Sequence, residues 1–157
     1  MLSVVKTYLS TPASDSVEDA ILIFSDGFGI DSEDNRRLAD NFAANGYFAV
    51  MPDLFRGESL HPDIPDGFNY NAWERMNLPA NVEPLIRSVI SRLRSRGVKR
   101  IGGAGYSIGT KYLARFMSRG GLCAGFMGHP WWLEREDVLA INKPVSIAFG
   151  KWWHSEH

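Results

Sequence analysis

The sequence predicts an α/β fold, a mostly parallel sheet sandwiched between helices. Three observations predict it. Short apolar runs bounded by turn residues recur at 20–24, 47–51, 98–104, 122–127 and 144–149, the pattern of strands buried on both faces. Segments with apolar residues at helical spacing stand between most of them, and the connections are short, so strand and helix alternate. At 98–117 a strand runs through a glycine-rich corner directly into a helix.

Taken in order, residues 4–9 form a first, edge strand, followed by a polar loop with a proline over 11–19. The run Ala20-Ile-Leu-Ile-Phe24 fills a central strand and ends in Ser25-Asp-Gly-Phe-Gly29, a glycine-bearing loop at the carboxyl end of a strand, where α/β sheets place ligand chemistry. Asp31 and Ser32 are N-cap candidates for a helix over 33–45, with Leu38, Ala39, Phe42 and Ala43 on one face and Gly46 as its stop. Tyr47-Phe-Ala-Val-Met51 is the next buried strand, closed by Pro52. Residues 53–73 hold Gly57, Pro62, Pro65 and Gly67 with Phe55, Phe68, Tyr70 and Trp73. Such a long aromatic loop with no period of its own is either a lid or binding loop, or a poorly ordered connection.

Residues 81–96 follow as an amphipathic helix. Its basic cluster, Arg87, Arg92, Arg94, Arg96, Lys99 and Arg100, reads as a solvated face and a helix C-terminus favoured by cations. Past the corner come a strand over 122–127 ending at Gly128-His129-Pro130, Trp131 and Trp132, a short helix over 134–140, and a last strand over 144–149.

At 157 residues the chain is long enough for one domain with a real core, and no repeat or second domain is visible. Hydrophobic residues make up 45% and charged residues 22%, and the net charge of -1 gives no electrostatic case for nucleic acid or an anionic membrane surface. Cys123 is the only cysteine, so neither a disulfide framework nor a cysteine-built metal site is expected. No leader or membrane-spanning run is apparent, and the expected setting is cytoplasmic.

The corner carries the chemistry. Gly105-Tyr-Ser-Ile-Gly109 matches G-x-S-x-G, the nucleophile elbow, in which a strained strand-to-helix turn lifts a serine hydroxyl above the sheet. The glycines are required because a side chain two residues before or after Ser107 would strike the neighbouring strand or helix. The alternative is that Ser107 only caps the helix it opens. A dinucleotide-binding loop is excluded, since position 108 is Ile108 where that motif needs glycine, and no acidic residue lies about 20 positions on.

These blocks in this order resemble the dienelactone hydrolase family of α/β hydrolases, particularly its fungal-type branch. The resemblance is carried by Ser25-Asp-Gly-Phe-Gly-Ile30, Asn35-Arg-Arg-Leu-Ala-Asp40, Gly46-Tyr-Phe-Ala-Val-Met-Pro-Asp-Leu-Phe55, Gly105-Tyr-Ser-Ile-Gly-Thr-Lys-Tyr112 and Gly125-Phe-Met-Gly-His-Pro130. It implies an α/β-hydrolase fold and hydrolysis of a small-molecule ester or lactone without cofactor or metal. Ser107 stands where the family places its nucleophile, a cysteine in its best-studied members. Cys123 is not that residue and is expected to be a small core hydrophobe. The resemblance assigns the oxyanion hole to the backbone N–H groups of Gly27 and Ile108. Asp26 matches a family carboxylate beside the resting nucleophile, or else caps nearby backbone amides.

The departures come at the end. After the strand at 145–149 the family carries an aspartate in a Gly-Glu-x-Asp segment, then a histidine. This chain reads Gly150-Lys-Trp-Trp-His-Ser-Glu-His157, with Trp153 at the aspartate's position. The expectation is a C-terminally truncated chain lacking the fold's last strands, with catalysis impaired by the missing acid and base. His154, oriented by Asp26 or Glu156, is the one candidate substitute base. His129 is expected to pack rather than act. Loss of the last strands would also leave 145–149 as an exposed edge able to oligomerise. The alternative to an impaired hydrolase is a non-catalytic binding or oligomerising protein using the same pocket.

Overall fold

The computed structural model describes residues 5–118 and 121–150. Its sheet has six strands in the order β1-β3-β2-β4-β5-β6, where β1 is Thr7–Ser10, β2 Asp19–Phe24, β3 Phe48–Pro52, β4 Arg100–Tyr106, β5 Gly125–Gly128 and β6 Val145–Ala148. All neighbours pair in parallel except β1, which runs antiparallel to β3 at the edge. The helices are α1 (Glu33–Ala44), α2 (Tyr70–Met76), α3 (Pro79–Ser95), α4 (Gly109–Ser118) and α5 (Arg135–Leu139).

The two faces of β2 explain the layering. Leu22 and Phe24 are fully buried against Val82, Ile86, Val89 and Leu93 of α3 and Tyr112, Leu113 and Phe116 of α4. Ile23, on the opposite face, joins Ala39 of α1 with Ile30, Ala49 and Met51. A strand hydrophobic on both sides therefore demands helices on both sides, as its uninterrupted apolar run implied. α1 starts at Ser32, whose hydroxyl accepts the Asn35 N–H, and not at Asp31, which lies in a 3-10 turn over Gly29–Asp31. α3 opens on Pro79, where a missing N–H costs nothing, and carries a second proline at Pro84 within its first turns.

From β2 the chain passes through α1 to β3 on one side, then crosses back through α2 and α3 to β4 on the other. The carboxyl ends of β2 and β4 thus flank the point where the strand order reverses, which is where open α/β sheets form their crevice. Backbone strain gathers at the same edge. Of the five non-glycine residues with positive φ among the described residues, four follow strand ends there: Arg56, Ser107, His129 and Trp132. Residues held in this region persist only where packing over-determines them, and they concentrate at functional sites.

Three expectations need correction. Cys123 is exposed, not a core residue, because β5 starts only at Gly125 and Cys123 lies on the approach to it, donating its N–H to the Ile101 carbonyl. The segment over 53–73 has regular structure of its own, since α2 takes up its end: Asn69 caps Ala72 N–H, and Trp73 is buried in the core against Phe55. The first strand, expected over 4–9, of which position 4 lies outside the described residues, is shifted forward, because among the described residues only Thr7–Ser10 finds partners on β3.

The basic cluster is spent as expected of a solvated face. Arg87 pairs with Glu83, Lys99 with Glu18 and Arg100 with Asp19, while Arg94 caps the Val98 and Lys99 carbonyls. β6 is an edge strand among the described residues, with Ile147 within it 43% and Phe149 just after it 65% exposed. Among the described residues no helix is long and apolar enough to cross a membrane.

Candidate active site

β4 ends at Tyr106 and α4 begins at Gly109, which leaves Ser107 and Ile108 to turn the corner. Ser107 does so at φ +50°, a left-handed conformation that is unfavourable for a residue with a side chain. It is held there from both sides. Its N–H donates to the Gly128 carbonyl at 3.1 Å, and its own carbonyl accepts both the N–H (3.0 Å) and the hydroxyl (2.6 Å) of Thr110. The side chain of Ser107 is half-buried.

Glycine is obligatory at one flank of this corner. A Cβ on Gly109 would lie 2.0 Å from the Phe24 carbonyl oxygen and 2.6 Å from that of Ser25. Both obstacles are backbone atoms, of the last residue of β2 and the one after it, and cannot swing away. A Cβ on Gly105 would meet the Gly109 carbonyl and Leu113 at 3.1 Å, a tighter fit than normal but not an impossible one. Gly109→Ala is therefore expected to destabilise the chain by at least the upper end of the about 1–3 kcal/mol typical of overpacking, and Gly105→Ala by less. Urea denaturation of the two variants measures the difference, and an equal effect would mean that α4 can shift away from β2.

The close approach at Gly109 sets the start of α4 against the end of β2, immediately before the turn Asp26-Gly-Phe-Gly29. Among the described residues the backbone N–H groups of Gly27 and Ile108 donate no hydrogen bond. The Ile108 N–H stands at the N-terminus of a ten-residue helix, where the peptide dipoles favour negative charge. The turn is also strapped from outside. Leu60 N–H donates to the Gly27 carbonyl at 2.7 Å, and the Leu60 and Trp73 side chains pack where a Gly27 Cβ would be, while Trp73 Nε1 donates to the Glu58 carbonyl at 2.6 Å. So the aromatic segment after β3 is ordered against the 26–29 turn.

Asp26 caps a backbone amide of its own turn, one of the two roles the sequence allows it. Its Oδ1 accepts the Phe28 N–H at 3.0 Å and Asn35 Nδ2 at 2.8 Å, and among the described residues no hydrogen bond joins it to Ser107. His129 follows Gly128, and its ring lies over Gly150, whose Cβ position is 3.0 Å from Cε1 and Nδ1. His154 and Trp153 lie outside the described residues. Tyr106 is no candidate base near neutrality, because burial pushes its phenol up from its ordinary value. A cleft of about 650 Å³ opens between Phe28, Ser32, Ser59 and Leu60 on the outer side of the turn, and Ser107 does not line it.

Sequence reading missed what holds the corner's far side. Lys111, in the first turn of α4, is buried with its Nζ 2.9 Å from Asp137 Oδ2 and 3.1 Å from Glu134 Oε2, over the Trp132 ring. Asp137 Oδ1 in turn accepts Arg115 Nη1 at 2.9 Å. Thr110 Oγ1 accepts the Trp131 N–H at 3.2 Å, and the Tyr112 hydroxyl donates to the Asn77 carbonyl. Three successive residues of α4 thus tie down the loop after β5, α5 and the α2–α3 junction. One signal was available: Glu134 and Asp137 stand three apart ahead of an apolar residue, and they do form a capping box on α5.

Comparison with known proteins bears on the family and the fold. A family model described as the dienelactone hydrolase family matches residues 5–155. Hydrolase pyvD of Aspergillus violaceofuscus is 39% identical over 145 residues, covering 92% of this chain and 59% of that protein. Hydrolase tropI of Talaromyces stipitatus is 32% identical over 157 residues, covering 94% of this chain and 62% of its own. A Klebsiella pneumoniae protein whose crystal structure carries the dienelactone hydrolase name superposes with a TM-score of 0.71 at 14% identity, over 94% of this chain and 80% of that one, and shares the α/β-hydrolase fold. The chain spans about three-fifths of the length of the two fungal relatives. With the G-x-S-x-G corner at the switch point of a six-stranded sheet and a family match over nearly the whole sequence, the chain belongs to the dienelactone hydrolase family.

Proposed function

We propose that this chain acylates itself on Ser107 from small carboxylic esters or lactones, and that the 157 residues by themselves turn over slowly. One observation carries the reading: a serine in left-handed conformation after β4, with the backbone N–H groups of Gly27 and Ile108, past the carboxyl ends of β2 and β4, donating no hydrogen bond among the described residues. In the first step Ser107 Oγ bonds to the carbonyl carbon, and the oxygen that gains charge accepts those two N–H groups. The carbon–oxygen bond to the leaving alcohol then breaks, and the serine proton ends on the leaving oxygen. Water later cleaves the acyl-serine. These steps call for no redox or metal cofactor.

The second half of the reading rests on the base. Among the described residues no histidine or carboxylate shares a hydrogen bond with Ser107. Without a base the hydroxyl stays protonated and is a weak nucleophile. His154 is the residue to change should steady turnover nonetheless be found. The test is hydrolysis of a p-nitrophenyl ester of a short acid, followed as burst and steady state beside Ser107→Ala. A Ser107-dependent burst with a slow steady state is expected. Ligand-dependent stabilisation with no burst would instead select the reading as a non-catalytic binding protein.

A further inference from the structure

Asn35 sits on the buried face of α1, in line with Ala39 and Ala43, and is only 7% exposed. An apolar residue there would continue the stripe at no polar cost, so the buried amide needs a reason. Both protons of its Nδ2 are accounted for: one goes to Asp26 Oδ1 at 2.8 Å, the other to the Gly29 carbonyl at 2.9 Å. A single amide thus spans the 26–29 turn from its first residue to its last. The same Asp26 oxygen accepts the Phe28 N–H, Gly29 N–H donates to the Asp26 carbonyl at 3.1 Å, and Leu60 N–H holds the Gly27 carbonyl from outside. Within this lattice the Gly27 N–H has no acceptor among the described residues.

We propose that Asn35 is a positioning residue, whose bridge between Asp26 and Gly29 fixes the Asp26–Gly27 peptide plane so that the Gly27 N–H is presented to the oxygen that gains charge when Ser107 is acylated. The inference rests on the reading of Gly27 as an oxyanion donor. Such donors are effective because they are held in place before the charge appears, and a donor that must reorient during the reaction loses much of its effect. Asp26 then acts through the turn, as the acceptor that Asn35 grips, and not through contact with the nucleophile.

The experiment uses a p-nitrophenyl alkylphosphonate, which needs no deacylation. Ser107 Oγ bonds to phosphorus, the phosphorus–oxygen bond to p-nitrophenolate breaks, and the hydroxyl proton leaves to solvent. Inactivation rate at saturation (kinact) and half-saturation (KI) are measured at pH 9 for the wild type, Ser107→Ala, Asn35→Leu, Asn35→Asp and the exchanged pair Asp26→Asn with Asn35→Asp. Asn35→Leu and the near-isosteric Asn35→Asp are expected to lower kinact by about 10- to 100-fold, short of the hundred- to thousandfold of losing a donor outright. KI should stay within about twofold, and the exchanged pair, in which the carboxylate at position 35 has no proton to give the Gly29 carbonyl, should stay slow. A merely structural role would not divide kinact from KI in this way.

Wild-type kinact in Asn35→Asp, a loss confined to KI, or wild-type kinact in the exchanged pair would each overturn the proposal. If Asn35→Leu fails to fold, Asn35→Asp and the exchanged pair still decide it. Equal labelling of Ser107→Ala and the wild type would instead bring down the reading of Ser107 and Gly27 themselves, and this inference with it, so the two failures are told apart.

Discussion

Ser107→Ala is expected to abolish the stoichiometric release of p-nitrophenolate from a short-chain ester, leaving only the slow background of ester in buffer with whatever rate the two N–H groups lend to water. The wild-type chain should release about one phenolate per chain and then slow, because cleavage of the acyl-serine needs a base that no described residue supplies to Ser107. In other enzymes, loss of a triad member leaves roughly a thousand- to ten-thousandfold over water from the oxyanion hole and binding. The acylation rate should therefore sit in that range and not at the level of an intact triad. Its pH dependence is diagnostic. With no base, the reactive form is the serine alkoxide, so the burst rate should climb about tenfold per pH unit through neutrality without a plateau. A plateau with a midpoint near 6.5 would mean that an imidazole acts on Ser107, and His129 and His154 would then be changed in turn. A burst of equal size in Ser107→Ala would place the nucleophile elsewhere.

The largest expected effect on stability is at Asp137. Its side chain is 2% exposed and that of Lys111 3%, so removing the carboxylate in Asp137→Ala leaves an ammonium in the interior with only the surface residue Glu134 within reach. Breaking a buried pair from one side costs about 3–5 kcal/mol, a fall in melting temperature of about 6–20 °C for a chain of this size. Replacing both partners together, Lys111→Met with Asp137→Leu, should cost much less, because no buried charge is then unpaired. A double variant as unstable as the single one would show that the helices are held by the shape of the site and not by its charges.

The same group predicts the acid response. Burial pushes the Asp137 carboxyl up, but hydrogen bonds from Lys111, the Glu134 N–H and Arg115 outweigh it and hold the group below the ordinary carboxylate value. A carboxyl lower in the folded than in the unfolded state binds fewer protons when folded. Its contribution is therefore complete above the unfolded value of about 3.9 and is lost as pH falls through the lower folded value. The urea midpoint of the wild type should drop below about pH 4, and that of Asp137→Ala should drop less over the same interval.

Much of the fold was legible because its causes are local. The apolar run Ala20-Ile-Leu-Ile-Phe24 could only be a strand covered on both faces, and the structure covers it with α1 on one side and α3 and α4 on the other. The glycine at Gly109 marked a backbone crossing, and the Phe24 carbonyl is what crosses there. Residue type alone favours burying Cys123, whereas its exposure is set by where β5 pairs with β4. The helix α2 leaves little trace in the sequence because its seven residues carry Asn71 between asparagines at both caps and an aromatic stripe too short to show a period, and it is packing of Trp73 on Phe55 that decides it.

The sequence by itself determined the strand and helix alternation, the G-x-S-x-G corner and the family, because each depends on residues adjacent in the chain or repeated at a fixed period. Only the tertiary structure decided what Asp26 does and which residues brace the corner. Asp26 is gripped by Asn35, nine positions along, whose amide reaches it only once α1 packs on β2 and β3. Lys111 and Asp137 are 26 residues apart and find each other because α4 and α5 are laid together by the sheet order. Contacts between distant residues carry no signature in either partner's neighbourhood, since a buried charge and a surface charge look alike until the chain that covers one of them has folded.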